Sequence, residues 1–205
     1  MLTEKEQELV SAVESNDIEE VKSLLSLENP KLSPDIVNYG WPILVDAADK
    51  NHVEIVELLI QAGADVDKAQ IDTGATSLYF ASQNGDLDVI SLLLEKGASI
   101  DLANKNGFTP LYVASFKGNL ETVKLLLEKG AEIDLAANDG ATPLYIASAN
   151  GKLDIAKHLL AAGADAHKAT NAETTPLAIA IAKSKGHEAV VELLQQETEK
   201  LEEKK

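Results

Sequence analysis

The stretch GFTPLYVASFKGNLETVKLLLEKGAEIDLAAND, Gly107 to Asp139, decides how this chain folds. Thr109 suits the cap of a helix, and Pro110 suits its first position, where a missing N–H costs nothing. Leu111, Ala114 and Ser115 give that short helix one apolar-to-small face. Gly118 ends it, as a residue tolerant of the left-handed conformation does. Asn119 is placed to cap a second helix, in which Leu120, Val123, Leu126 and Leu127 follow the i, i+3, i+6, i+7 stripe of a buried face. Gly130 ends that helix. AEIDLAAND then leads through an extended, hairpin-like loop to Gly140.

The unit recurs. TSLYFAS (Thr76–Ser82) and TPLYIAS (Thr142–Ser148) repeat TPLYVAS (Thr109–Ser115). Leu78, Leu111, Leu144 and Leu177 stand 33 residues apart, and Leu44 stands 34 before Leu78. Gly97, Gly130 and Gly163 keep the same step, with Gly63 34 residues earlier. A step held across four intervals marks an array of stacked units, each too small to bury its own core.

The motifs G-x-T-P-L-Y-x-A-S, then G-x-L-x-x-V/A-x-x-L-L, then G-A-x-x-D/H resemble the ankyrin repeat over nearly the whole chain. Tyr79, Tyr112 and Tyr145 stand where that family usually has histidine. The resemblance implies an all-α solenoid of about six stacked helix pairs with hairpin-like loops. Residues 1–39 read as an N-terminal capping repeat and connection. Residues 40–73, 74–106, 107–139 and 140–172 read as repeats, 173–196 as a C-terminal cap and 197–205 as a charged, helical tail. In the first full repeat Pro42 and Ile43 replace the Thr-Pro pair. Asn51 replaces the helix-ending glycine and tolerates the same backbone conformation. The last unit has altered spacing around Gly186.

Composition narrows the function. The 205-residue chain is 45% hydrophobic, enough for a core, and carries a net charge of -16. It has 18 basic residues, all lysine, and no cysteine. Disulfides and thiolate metal sites are therefore impossible. An acidic chain without guanidinium forks is poorly suited to phosphate backbones, so no nucleic-acid partner is expected. No apolar run reaches the roughly 18 residues of a membrane span, and MLTEKEQELV is too acidic for a signal peptide. A monomeric, cytoplasmic protein with no membrane partner is expected.

A catalytic constellation is also missing. His52, His158, His167 and His187 fall at different repeat positions, and no pair has metal-site spacing. The glycines are single and form no phosphate-cradling loop. Ser82, Ser115 and Ser148 recur as small packing residues. Asp67, Asp101 and Asp134, with His167 in the same register, suit local loop hydrogen bonding. No enzyme activity, cofactor or metal is expected.

The resemblance implies instead a non-catalytic protein–protein interaction module. Its contacts would come from the concave face and hairpin tips, with a partner of basic or neutral surface. The tip candidates are Tyr39, Trp41, Asp72, Thr73, Lys105, Asn106, Phe108, Asn138 and Asp139. The candidates on the first helices are Asp49, Gln83, Tyr112, Phe116, Lys117, Ala149 and Asn150. Only 4% of the chain is aromatic, so Trp41, Phe108 and Phe116 are the chief hot-spot candidates. Phe80, Val113 and Ile146 share one position and vary as core residues do. The alternative is an engineered or idealised repeat scaffold without a natural partner, suggested by the missing arginine and cysteine. The unit-to-unit differences argue against it.

Overall fold

The computed structural model describes residues 2–26, 32–182 and 187–202. Part of the long first connection, the spacing around Gly186 and the last residues of the tail lie outside these described residues.

The chain folds as short helices in pairs. In one compact unit, Met1–Lys105, α1 (Glu4–Glu14) pairs with α2 (Ile18–Leu25), α3 (Ile43–Asp49) with α4 (Val53–Gln61), and α5 (Ser77–Asn84) with α6 (Leu87–Glu95). Strands β1 (Val37–Asn38) and β2 (Trp41–Pro42) precede α3. In the other unit, Asn106–Lys205, α7 (Pro110–Lys117) pairs with α8 (Leu120–Glu128), α9 (Pro143–Ala149) with α10 (Leu153–Ala161), and α11 (Pro176–Ala182) with α12 (Glu188–Glu202). Within the first unit α1, α3 and α5 stack in order, as do α2, α4 and α6. Within the second, α7, α9 and α11 form one layer and α8, α10 and α12 the other. Each unit is thus built as a solenoid is, by helix pairs laid on helix pairs.

The starts of the first helices follow their threonines. The hydroxyls of Thr76, Thr109 and Thr142 accept from the N–H groups of Tyr79, Tyr112 and Tyr145 at 3.3, 3.1 and 3.1 Å. Gly85 and Gly118 end α5 and α7 in the left-handed region, and Asn51 takes the same conformation after α3 at φ 57. α1 opens with a capping box between Thr3 and Glu6. The hydrogen bonds from Thr3 hold the Glu6 carboxyl below its usual range. The second helix α8 differs from expectation at its start. Asn119 occupies the cap position of α8, but its side chain makes no capping hydrogen bond. Asp17, before α2, has nearly the same backbone at ψ 88 and does cap, accepting from the Glu20 N–H at 3.0 Å.

The core is the stripe in each unit. Leu111, Ala114, Ser115, Val123 and Leu126 are fully buried, whereas Leu120 and Leu127 are half-buried. Buried Thr122 joins them. Each fully buried leucine contributes about 1.5–3 kcal/mol relative to exposure. Ser115 and Ser148 donate to the carbonyls of Leu111 and Leu144 in their own helices, at 2.8 and 2.7 Å. Those hydroxyls are satisfied by the scaffold.

The loops are tied together as well. The N–H groups of Ile71 and Lys105 donate to the carbonyls of Gly40 and Thr73 at 2.9 and 2.8 Å. In the other unit Asn138 and Asn171 donate likewise to Asn106 and Asp139, at 3.0 and 2.8 Å. These bonds run from each tip to the tip of the repeat before it. Asp67 and Asp134, after the second helices, act across repeats, not locally as expected. Asp67 accepts from the backbone N–H of Ser99 at 2.9 Å, and Asp134 from that of Asp165 at 3.1 Å. A carboxylate can satisfy an orphan N–H in the next loop because the 33-residue step places that loop directly above it.

Candidate interaction face

The first helices and the loops before them carry the side chains left over from packing. The first loop is a true two-residue hairpin. Asn38 pairs with Trp41 and Val37 with Pro42, leaving Tyr39 and Gly40 at the turn. Both have positive φ, 47 and 85, the pattern of a type I′ turn. Glycine and asparagine favour that conformation. For a bulky residue it costs about 1–2 kcal/mol. The Tyr39 ring gains no packing in return, because the residue is 95% exposed.

Trp41 is half-buried and packs on Phe80, with ring centroids 5.0 Å apart. Phe80 also meets Tyr79 edge-on at 5.5 Å. Phe80, expected to vary as a core residue does, is therefore the floor of an aromatic cluster. Tyr79 is its neighbour along α5, and stacking of the repeats brings Trp41 of β2 onto the pair. Beside Trp41 lies a cavity of about 300 Å³, bounded by Val10 and Glu14 of α1, Tyr39 and Trp41 of the hairpin, and Asp46 and Asp49 of α3. Asp46 is bonded to Lys50 at 2.8 Å, and Asp49 accepts from the Asn84 side chain at 3.1 Å. Burial raises the Asp86 carboxyl above its usual range; the Asn84 hydrogen bond opposes this and nearby Asp49 adds to it.

In the other unit Phe108 lies flat on Tyr112, with centroids 4.5 Å apart and planes 2° from parallel. Tyr112, only 6% exposed, is covered along with Ala137 and Ala141 in a small cluster that Tyr145 and Ile146 complete. Burial raises the Tyr79 and Tyr145 hydroxyls above their usual range, with Asp139 adding to the effect at Tyr145. Phe116 is 42% exposed on α7, and the Lys117 ammonium stands 5.8 Å from its ring centroid.

Other candidates are occupied in holding the loops. The Thr73 hydroxyl and N–H both donate to the Gln70 side chain, at 2.8 and 2.7 Å, and Gln70 in turn donates to Asp72. The Lys105 ammonium donates to the Ile71 carbonyl at 2.7 Å. The Asp139 carboxylate accepts from the Ala141 N–H at 3.0 Å, and the Asn138 carbonyl accepts from Asn171 at 2.9 Å. Asn106 is exposed at its tip, and Gln83 is half-buried near the end of α5. Asn150 bonds back to the Ile146 carbonyl at 2.8 Å. Ala149 corrects an expectation: it is 4% exposed, not a surface residue. Its carbonyl lies 3.2 Å from the His187 ring, which reaches over from the following helix pair and covers it. His52 makes the same link to the Val13 carbonyl at 3.0 Å. Two of the histidines are thus repeat-to-repeat ties. Among the described residues no three His, Asp or Glu side chains are grouped to hold a metal ion.

The stacked pairs, the threonine caps and the inter-repeat ladders decide the kinship. A family model described as Ankyrin repeats (3 copies) matches residues 3–70, 66–137 and 133–204. This chain belongs to the ankyrin-repeat family. Ankyrin repeats are generally protein–protein interaction modules, and the family is generally non-catalytic. No curated protein matches the chain. Among the described residues, no helix of this ankyrin-repeat chain is long and apolar enough to cross a membrane.

Proposed function

We propose that this chain is a non-catalytic scaffold or adaptor inside the cell. It binds a protein partner through hairpin tips and the exposed ends of its first helices. The observation that carries this is Phe116, a large aromatic left 42% exposed on a helix whose other apolar residues are buried. Folding gains little from such a ring, whereas an interface gains much from an aromatic anchor. Tyr39, half-buried Trp41 and Phe108 add aromatic surface at the tips. Asp49, Asp72, Gln83 and Lys105 in one unit, and Asn106, Lys117, Asn138, Asp139 and Asn150 in the other, add polar groups. The charge of -16 favours a partner with a basic or neutral surface.

Affinity capture followed by titration of the purified partner tests this. Phe116→Ala is expected to weaken binding by about ten-fold or more, the loss of a typical hot spot, while leaving the melting temperature nearly unchanged. Unaltered affinity would remove Phe116 from the interface. Capture of no partner under native conditions would count against the binding role itself.

A further inference from the structure

The hairpin before α3 has a design that folding does not explain. Tyr39 sits in a left-handed turn position that penalises a bulky side chain, and its ring is 95% in solvent. Asparagine would serve the turn better. The ring stands at the mouth of the cavity that Trp41 and Val10 also line. A second cavity of about 840 Å³ continues from it along α1, sharing Val10, Glu14 and Tyr39 and reaching Glu6 and Leu2. Together they form one groove, long enough for several residues of extended chain.

The charge of this groove has one sign. Glu6, Glu14, Asp46 and Asp49 line it, and no lysine does among the described residues. Lys50 is held on Asp46, whereas Glu14 is bonded to no described residue. Aromatic faces beside unneutralised carboxylates match a side chain with an apolar stem and a cationic head. Phosphates and acidic segments are repelled by the same rim.

We propose that this groove takes an extended, basic segment of a partner protein, with an arginine or lysine side chain between Tyr39 and Trp41 and its charge against Glu14 and Asp49. The stem lies along Val10, the head over the aromatic faces, and the flanking residues run beside α1. This rests on the protein-binding role proposed above and names the chemistry of one partner site.

Selection of a phage library of random linear peptides on the immobilised full chain tests it. Enriched peptides are expected to carry arginine or lysine and to lose binding in added salt. Tyr39→Asn and Glu14→Gln should each weaken a selected synthetic peptide by about ten-fold, as the loss of a partly desolvated cation–aromatic or charge contact does. Glu128→Gln, a charge change at an exposed position on α8 away from the groove, should leave that peptide's affinity unchanged. Because Tyr39→Asn relieves the turn, its melting temperature should rise, so lost binding cannot come from misfolding. Peptides without basic residues, or indifferent to Tyr39 and Glu14, would overturn the groove while leaving the protein-binding role intact. A selection with no binding peptide would also overturn it, and the capture experiment decides the broader role separately.

Discussion

Ser77 offers the sharpest test of the helix-start logic. It occupies the first position of α5, where α7, α9 and α11 have Pro110, Pro143 and Pro176. Ser77 is fully buried, and its hydroxyl has no hydrogen-bond partner. An unsatisfied buried hydroxyl costs about 1–3 kcal/mol. The backbone before it is ready for proline: Thr76 has φ -91 and ψ 171, close to the -79 and 166 of Thr109 and the -89 and 167 of Thr142. That extended conformation is the one proline demands of its predecessor. The first helical N–H has no intrahelical acceptor, so losing it costs nothing. Proline at a compatible site adds about 0.4–1 kcal/mol by restricting the unfolded chain. Ser77→Pro should therefore stabilise by about 1–2 kcal/mol, taking the lower part of the hydroxyl range. For a chain of this length that corresponds to a rise in Tm of about 2–8 °C. Urea unfolding followed by Trp41 fluorescence reports on the right unit, because Trp41 is the only tryptophan and lies in Met1–Lys105. Ser77→Ala separates the two contributions and should recover the hydroxyl part alone. A lower midpoint for Ser77→Pro at an unchanged slope would refute the claim that α5 begins with the same backbone as α7 and α9.

Other substitutions probe the turns and the tip. Gly130 has φ 93, and nothing lies within 4 Å of where a Cβ would stand, so Gly130→Ala should cost only the left-handed penalty, about 1–2 kcal/mol, in thermal melts. At Gly107 a Cβ would come within 2.7 Å of the Asn138 backbone nitrogen in the next tip, so Gly107→Ala should cost clearly more than Gly130→Ala. Equal losses would mean that the tips are not held together as described. Asn51→Gly should stabilise by a few tenths of a kcal/mol to about 1, since Asn51 bears φ 57 after α3; a loss would show that its side chain does more than tolerate the turn. Tyr39→Asn should raise stability by about 1 kcal/mol in the same melts, and a drop would assign the Tyr39 ring a folding role.

The 33-residue step, the threonine caps and the leucine stripe were legible because each is dictated by local chemistry. Thr109 caps whatever helix follows it, Gly118 ends it, and Leu111, Val123 and Leu126 have one apolar face to bury, whichever neighbours cover them. Asn119 shows the limit of that logic: its type suits a cap, yet it makes no capping bond, whereas Asp17 caps α2 from nearly the same backbone. Ala149 is small and terminal in its helix, yet His187, 38 residues on, covers it. Phe80 resembled a core residue by its register, but Trp41, 39 residues earlier, makes it the floor of an aromatic cluster. Asp67 and Asp134 looked like local loop residues, and stacking turned them into ties between repeats. The sequence alone determined the unit, its period and its buried stripe, since these depend on residues close along the chain. Only the tertiary structure decided which side chains face water at the tips and which carboxylates and rings share one groove, because stacking brings residues a repeat apart within contact distance.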